Sequence, residues 1–229
     1  MYSGNLLQLL HICDTALPIG GFSHSSGLET YVQEGTVNDK SSAKEFVVQQ
    51  LSQNISYTDG AIMSLAYDAA CKGDLKPIIE LDAICTAVKL PREIRLASNK
   101  LGIRLLKIFE NDTAFVLPKK YKECILKDEA FGHYCISFAI LSHAMNIDKK
   151  QALTGFYYNA ANAFVINSVK LIPLGQQDGQ EILMSLFPLI NELVQHSLQP
   201  NKEMIGYCCA GFDISCMQHE QLYSRLYMS

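Results

Sequence analysis

The feature that most limits what this chain can become is a hydrophobic pattern of helical period that covers most of its length. Leu6, Leu7, Leu9, Leu10 and Cys13 stand at helical spacing, as do Phe46, Val47, Leu51 and Ile55. Residues three and four apart share one helix face, so each run is an apolar stripe. Ile62, Leu65, Ala66, Ala69 and Ala70 form the next stripe, then Ile78, Leu81, Ile84, Cys85 and Val88, then Ile94 to Ile108. Further helices are predicted over Phe131 to Asn146, Lys149 to Leu171 and Asp178 to Val194, with a kink at Pro188, and from about Asp213 to Met228. Ser41 or Ser42, Thr58 or Asp59, and Asp74 are placed to open helices, and Pro91 suits a first turn. Glu110 to Lys127, with Pro118 and several lysines, reads as a loop with one helical turn. Asn201 to Gly211 reads as loose. No alternating pattern of useful length argues for a strand. The expectation is an all-α fold of nine or ten helices, a single domain over residues 1–229 with a loosely held tail from about residue 201. Connections this short favour antiparallel neighbours.

One stretch departs from simple helical patterning: LPIGGFSHSSGLETYVQEG, from Leu17 to Gly35. Pro18 fixes its own φ and biases Leu17 away from helix. Gly20 and Gly21 open backbone angles closed to other residues. Ser23 or Ser26 can cap a following helix, since Ser26 and Glu29 have capping-box spacing. Leu28, Tyr31 and Val32 give that helix an apolar face, and Gly35 is placed to end it. A Gly-rich turn before a helix can hold an anion, but no GxxxxGK[ST] and no lysine accompanies these glycines. A structural turn or docking loop is the better reading. Ser23 or Ser25 beside His24 is poor evidence for catalysis, because sequence neighbours seldom make a working nucleophile–base pair.

Hydrophobic residues make up 48% of the 229 and charged residues 18%, a balance that leaves apolar surface available to a partner. A net charge of −4 without a basic stripe argues against nucleic acid. No run reaches the roughly 18 apolar residues of a membrane span. The 8 cysteines are dispersed, mostly inside apolar helical patterns, and no signal peptide is evident. Reduced, mostly buried thiols in a cytoplasmic protein are expected. Cys208, Cys209, Cys216 and His219 are the one grouping that resembles a metal site, although their spacing fits no standard zinc module. A class alternative is an enzyme, hydrolase-like, using His24, Glu29 and His133 as acid–base groups.

The run Leu17, Pro18, Ile19, Gly20, Gly21, Phe22, His24, Ser25, Gly27, Leu28, Glu29 resembles the signature of the UreF family of urease accessory proteins. The resemblance continues in order along the chain: Leu90-Pro91-Arg92-Glu93 with Arg95, Ala97-Ser98 and Leu101-Gly102; Gly132-His133; Ile172-Pro173-Leu174-Gly175-Gln176 with Asp178-Gly179-Gln180. It ends in Gln218-His219-Glu220 and Tyr223-Ser224-Arg225-Leu226-Tyr227. Cys135 and Ile136 depart from the small or proline residues usual after the Gly-His pair, and Phe22 stands where some members have Tyr.

The resemblance implies a non-enzymatic urease maturation factor without a cofactor. Such a protein forms a homodimer and binds a UreD/UreH-type accessory protein. Together they recruit a UreG-type GTPase, whose activity they modulate, and dock on apo-urease for nickel insertion; an alternative is a protein that binds nickel directly through Cys208, Cys209, Cys216 and His219. Partner-binding residues expected on this basis are Pro18, Gly20, Phe22, His24, Glu29, Lys170, Gln176, Asp178, Tyr223, Arg225 and Tyr227. Lys170 also sits where a cation favours a helix C-terminus. The tail is implied to become ordered in the complex, with Arg225 supporting the loop around Phe22; an end helix packed on its own domain is the plain alternative.

Overall fold

Twelve α-helices and no strand are found among the described residues of the computed structural model, which are 4–21, 24–207, 210–222 and 225–228. They are α1 (Gly4–Ile12), α2 (Leu28–Gln33), α3 (Lys40–Gln49), α4 (Asp59–Cys71), α5 (Leu75–Val88) and α6 (Arg92–Ile108), followed by α7 (Val116–Leu126), α8 (Tyr134–Ala144), α9 (Lys149–Leu171), α10 (Gln176–Ser185), α11 (Phe187–Ser197) and α12 (Ala210–His219). A π-helical turn, Gln50–Ile55, carries α3 on towards α4. Phe22, Ser23, Cys208, Cys209, Tyr223, Ser224 and Ser229 lie outside the described residues.

The centre of the fold is α8, in which every residue from Cys135 to Ser142 is buried. A helix apolar all round has to be surrounded. α4, α6, α7, α9 and α5 do this, with α4 and α6 making the most extensive contacts. α9 is 23 residues long, about 35 Å, and joins the centre to α2, α3, α10 and α11. Close approach of α6 to the start of α8 depends on Gly102. A Cβ there would collide with the Gly132 carbonyl oxygen and stand 2.7 Å from the His133 carbonyl carbon. These are backbone atoms that cannot swing aside. Gly102→Ala is therefore expected to lower stability by about 3 kcal/mol, read as the shift in urea midpoint at unchanged slope.

A buried carboxylate completes the start of α8. Asp82, on α5 and fully buried, accepts the N–H groups of Phe131 (2.5 Å), Gly132 (3.1 Å) and His133 (3.0 Å). These donors precede the first helical turn and would otherwise be orphaned in the interior.

The all-α class and many helix positions agree with expectation, and the differences have local causes. The segment read as a loop is α7, because Pro118 falls in its first turn, where a missing N–H costs nothing. Pro188 divides rather than kinks: Leu186 ends α10 and opens α11. Among the described residues the count is therefore twelve, not nine or ten. Asp39, not Ser41 or Ser42, caps α3, with the Ser42 hydroxyl reciprocating. α10 starts at Gln176, ahead of Asp178, whose carboxylate reaches back to the Gly175 N–H at 3.0 Å. α12 stops at His219, so the residues beyond it do not extend that helix.

Candidate functional site

The described residues between Leu17 and Gly35 are fixed from three sides. Arg104 of α6 donates to the Ile19 carbonyl at 3.0 Å, and Asn167 of α9 donates to the His24 carbonyl at 2.8 Å. Ser26 and Gly27 both take positive φ, 53° and 79°. Gly27 is the N-cap of α2 and makes no side-chain cap, so the expected Ser26–Glu29 capping box does not form. Gly35 ends α2 as expected, with Gly35 and Thr36 N–H groups returning to Val32 and Tyr31. The third support is α12. A Cβ on Gly27 would meet the Cys216 sulfur at 2.6 Å, and the Thr30 hydroxyl donates to the Ser215 carbonyl at 3.0 Å.

Glu29 is released from capping and becomes the centre of a clamp. Its carboxylate is buried and accepts the Leu226 N–H at 2.7 Å and the Tyr227 N–H at 3.2 Å. His219, 1% exposed, lies between two acids: Nε2 is 3.1 Å from Glu29 and Nδ1 is 2.9 Å from Glu93 of α6. Arg225 then closes on the other oxygen of Glu93 at 2.6 Å. Ionised carboxylates only accept, so a ring nitrogen that carries a proton donates to the acid it faces. The C-terminal residues are thus bound to the loop helix and to α6 by charge-assisted hydrogen bonds. Arg225 reaches Glu93, and Phe22, which it is expected to support, lies outside the described residues.

Beside the clamp is a mostly apolar cleft of about 240 Å³, lined by Leu17, Ile19 and His24 from the loop and by residues of α6 and α9. Burial, then the charges of Lys100 and Arg104, hold the His24 imidazole below its ordinary range, which favours the neutral ring. Asp59 and Lys89 give the cleft its polar end, paired at 2.6 Å. Burial opposes ionisation of both, but each partner's charge outweighs it: Asp59 is held low and Lys89 high. Behind them the sulfurs of Cys85 and Cys135 are 3.7 Å apart. Burial alone would raise the Cys85 thiol; hydrogen bonding with Cys135 and the Lys89 charge bring it down to about 6. Burial and the same pairing push Cys135 up.

The expected partner-binding residues fall into separate groups. Pro18 is exposed, Gly20 and His24 half-buried, and Glu29 and Tyr227 buried in the clamp. Lys170 is exposed in the last turn of α9, and Gln176 is exposed at the start of α10. Asp178 caps α10 and pairs with Lys40 at 3.0 Å. Phe22 and Tyr223 lie outside the described residues.

His24, Glu29 and His133 do not assemble into an acid–base site. Glu29 is taken by His219 and the tail, while both His133 nitrogens face hydroxyls, Ser98 at 3.0 Å and Thr86 at 2.8 Å. The grouping of Cys208, Cys209, Cys216 and His219 is not supported either, since both His219 nitrogens face carboxylates; Cys208 and Cys209 lie outside the described residues. From sequence, Glu93 stands inside a motif with no role assigned, Asp59 is only a candidate helix opener, and Asp82 and Lys89 have no role. Asp82 carried a signal: with Ile78 and Cys85 it puts a carboxylate on the apolar stripe of α5.

A family model described as UreF matches residues 37–187. A urease accessory protein UreF of Actinobacillus pleuropneumoniae serotype 5b is 48% identical over 226 residues, 99% of this chain and 100% of the relative. Its counterpart in Haemophilus influenzae strain Rd is also 48% identical, over 98% of this chain and 96% of the relative. A more distant UreF, from Bacillus sp. strain TB-90, is 36% identical over 98% of this chain and 99% of its own length. The match to the family model and the near full-length identity agree, and the chain belongs to the UreF family.

Proposed function

We infer that this chain is a urease maturation factor that works by docking. Its loop and C-terminal tail form one surface that a UreD/UreH-type accessory protein engages. The pair then recruits a UreG-type GTPase and apo-urease for delivery of nickel, the cargo, with the chain acting as a homodimer in the cytoplasm. The observation that carries this reading is Glu29, which joins the loop helix to the tail through the Leu226 and Tyr227 N–H groups. Around that junction Leu226 is 71% exposed and Met228 57%, and Ile214 and Met217 of α12 also face outwards. Apolar side chains held on an ordered backbone bind at low entropic cost. Nucleotide-dependent release then follows from differential affinity: the scaffold favours whichever GTPase conformation it binds more tightly.

Co-purification with UreD/UreH-type and UreG-type partners tests this. Wild type is expected to co-elute with both, and Lys170→Glu, which reverses an exposed charge, to lose the GTPase while keeping its helical circular dichroism. Failure of the folded wild type to hold either partner would contradict the docking reading.

A further inference from the structure

The group at the end of the cleft has a chemistry that docking does not use. Asp59 on α4, Cys85 on α5 and Cys135 on α8 each offer one ligand atom, and the three atoms lie within 4.8 Å of one another. All three residues are buried, the cysteines completely. We propose that Asp59, Cys85 and Cys135 bind one divalent cation of the zinc class, as a site with two thiolates and one carboxylate.

Four observations support it. Two thiolates at about 2.3 Å from a tetrahedral ion stand about 3.8 Å apart, and the two sulfurs are at 3.7 Å. They come from neighbouring core helices, so the spacing is held by packing rather than by a loop. Lys89 at 2.6 Å and the Thr58 hydroxyl at 3.2 Å both bond Oδ2 of Asp59, which leaves Oδ1 for a metal while orienting the carboxylate. Asp59 and Lys89 line the cleft, so the carboxylate end of the site is reached from that cleft.

Charge balance permits the ion in the interior. The cation adds two positive charges and binds two thiolates, so each cysteine that enters as a thiol breaks its S–H bond and releases that proton to solvent. With Asp59 ionised and Lys89 retained beside it, the loaded site is neutral. Burial therefore does not penalise loading by leaving an uncompensated charge. This site rests on α4, α5 and α8 alone and stands or falls separately from the docking reading.

The test uses untagged, reduced full-length chain, freed of metal and titrated with Co²⁺ alone under argon. One equivalent should bind, with thiolate-to-cobalt charge-transfer absorption and the strong visible bands of a tetrahedral ion, and one equivalent of Zn²⁺ should displace it. Cys85→Ser and Cys135→Ser should each abolish the charge-transfer band, whereas the double variant Cys208→Ser/Cys209→Ser should retain it. A second measurement needs no variant: labelling of the buried Cys85 and Cys135 by maleimide requires local opening, which Zn²⁺ at ten times its Kd should slow by roughly tenfold in the wild type, read by peptide mass, while leaving Cys71 unchanged. Absence of a cobalt spectrum in the wild type overturns the proposal. So does a band that survives Cys135→Ser, or labelling rates that Zn²⁺ does not alter.

Discussion

Replacing Glu29 by alanine is expected to detach the C-terminal tail and to destabilise the fold by about 3 to 5 kcal/mol, from the loss of the buried hydrogen bonds that its carboxylate accepts. The loss has several parts. His219 keeps only Glu93, and the Leu226 and Tyr227 N–H groups lose their acceptor. Leu28 and Thr30 on either side are buried, so α2 cannot easily turn to supply another group. For a chain of this length the change lowers Tm by roughly 10 °C. Tail detachment is read separately, as trypsin cleavage after Arg225 below the melting range. A local opening made easier by about 3 kcal/mol accelerates it roughly 100-fold. Arg225→Ala removes only the half-exposed arm to Glu93 and should have a much smaller effect on Tm, within about 1 kcal/mol.

The second large effect is expected at Asp59. Asp59→Ala leaves the Lys89 ammonium, 9% exposed, without its carboxylate partner, at a cost of about 3 to 5 kcal/mol. Its pH dependence has a definite sign. Burial raises the Asp59 carboxyl, but the Lys89 charge outweighs burial and holds it below the ordinary range. Its stabilisation is present above the unfolded-state value of about 3.9 and is lost as pH falls through the lower folded value. Urea midpoints between pH 6 and pH 3 should therefore converge for wild type and Asp59→Asn as acid is added. A constant difference across that window would mean that the pair does not stabilise the fold.

How much of this was legible in the sequence depended on range. Gly35 ending α2 and Asp74 capping α5 are local events, decided by a few neighbouring residues, and both are found. α8 and α9 were visible because their patterns are long. α7 was hidden by its proline and lysines, which are unremarkable in a first turn and on an outer face. Glu29 shows where local reasoning fails. Its spacing from Ser26 suggested a cap, but the left-handed Ser26–Gly27 pair turns the chain so that the carboxylate faces residues about 190 positions away. Nothing in a local window carries that contact. Likewise His219 beside Cys216 looked like a metal ligand until the two glutamates facing it were placed. The soft-ligand grouping in the core comes from three helices and has no sequence spacing to recognise.

The measurement that most directly tests the account is calorimetric titration of a UreD/UreH-type partner into wild type and into a chain lacking Tyr223–Ser229, both shown to be folded. If tail and loop are one docking surface, truncation weakens binding by at least about tenfold, or 1.4 kcal/mol. Equal affinity of the two chains would contradict it, and the Glu29 clamp would then be a stabilising contact with no part in recognition.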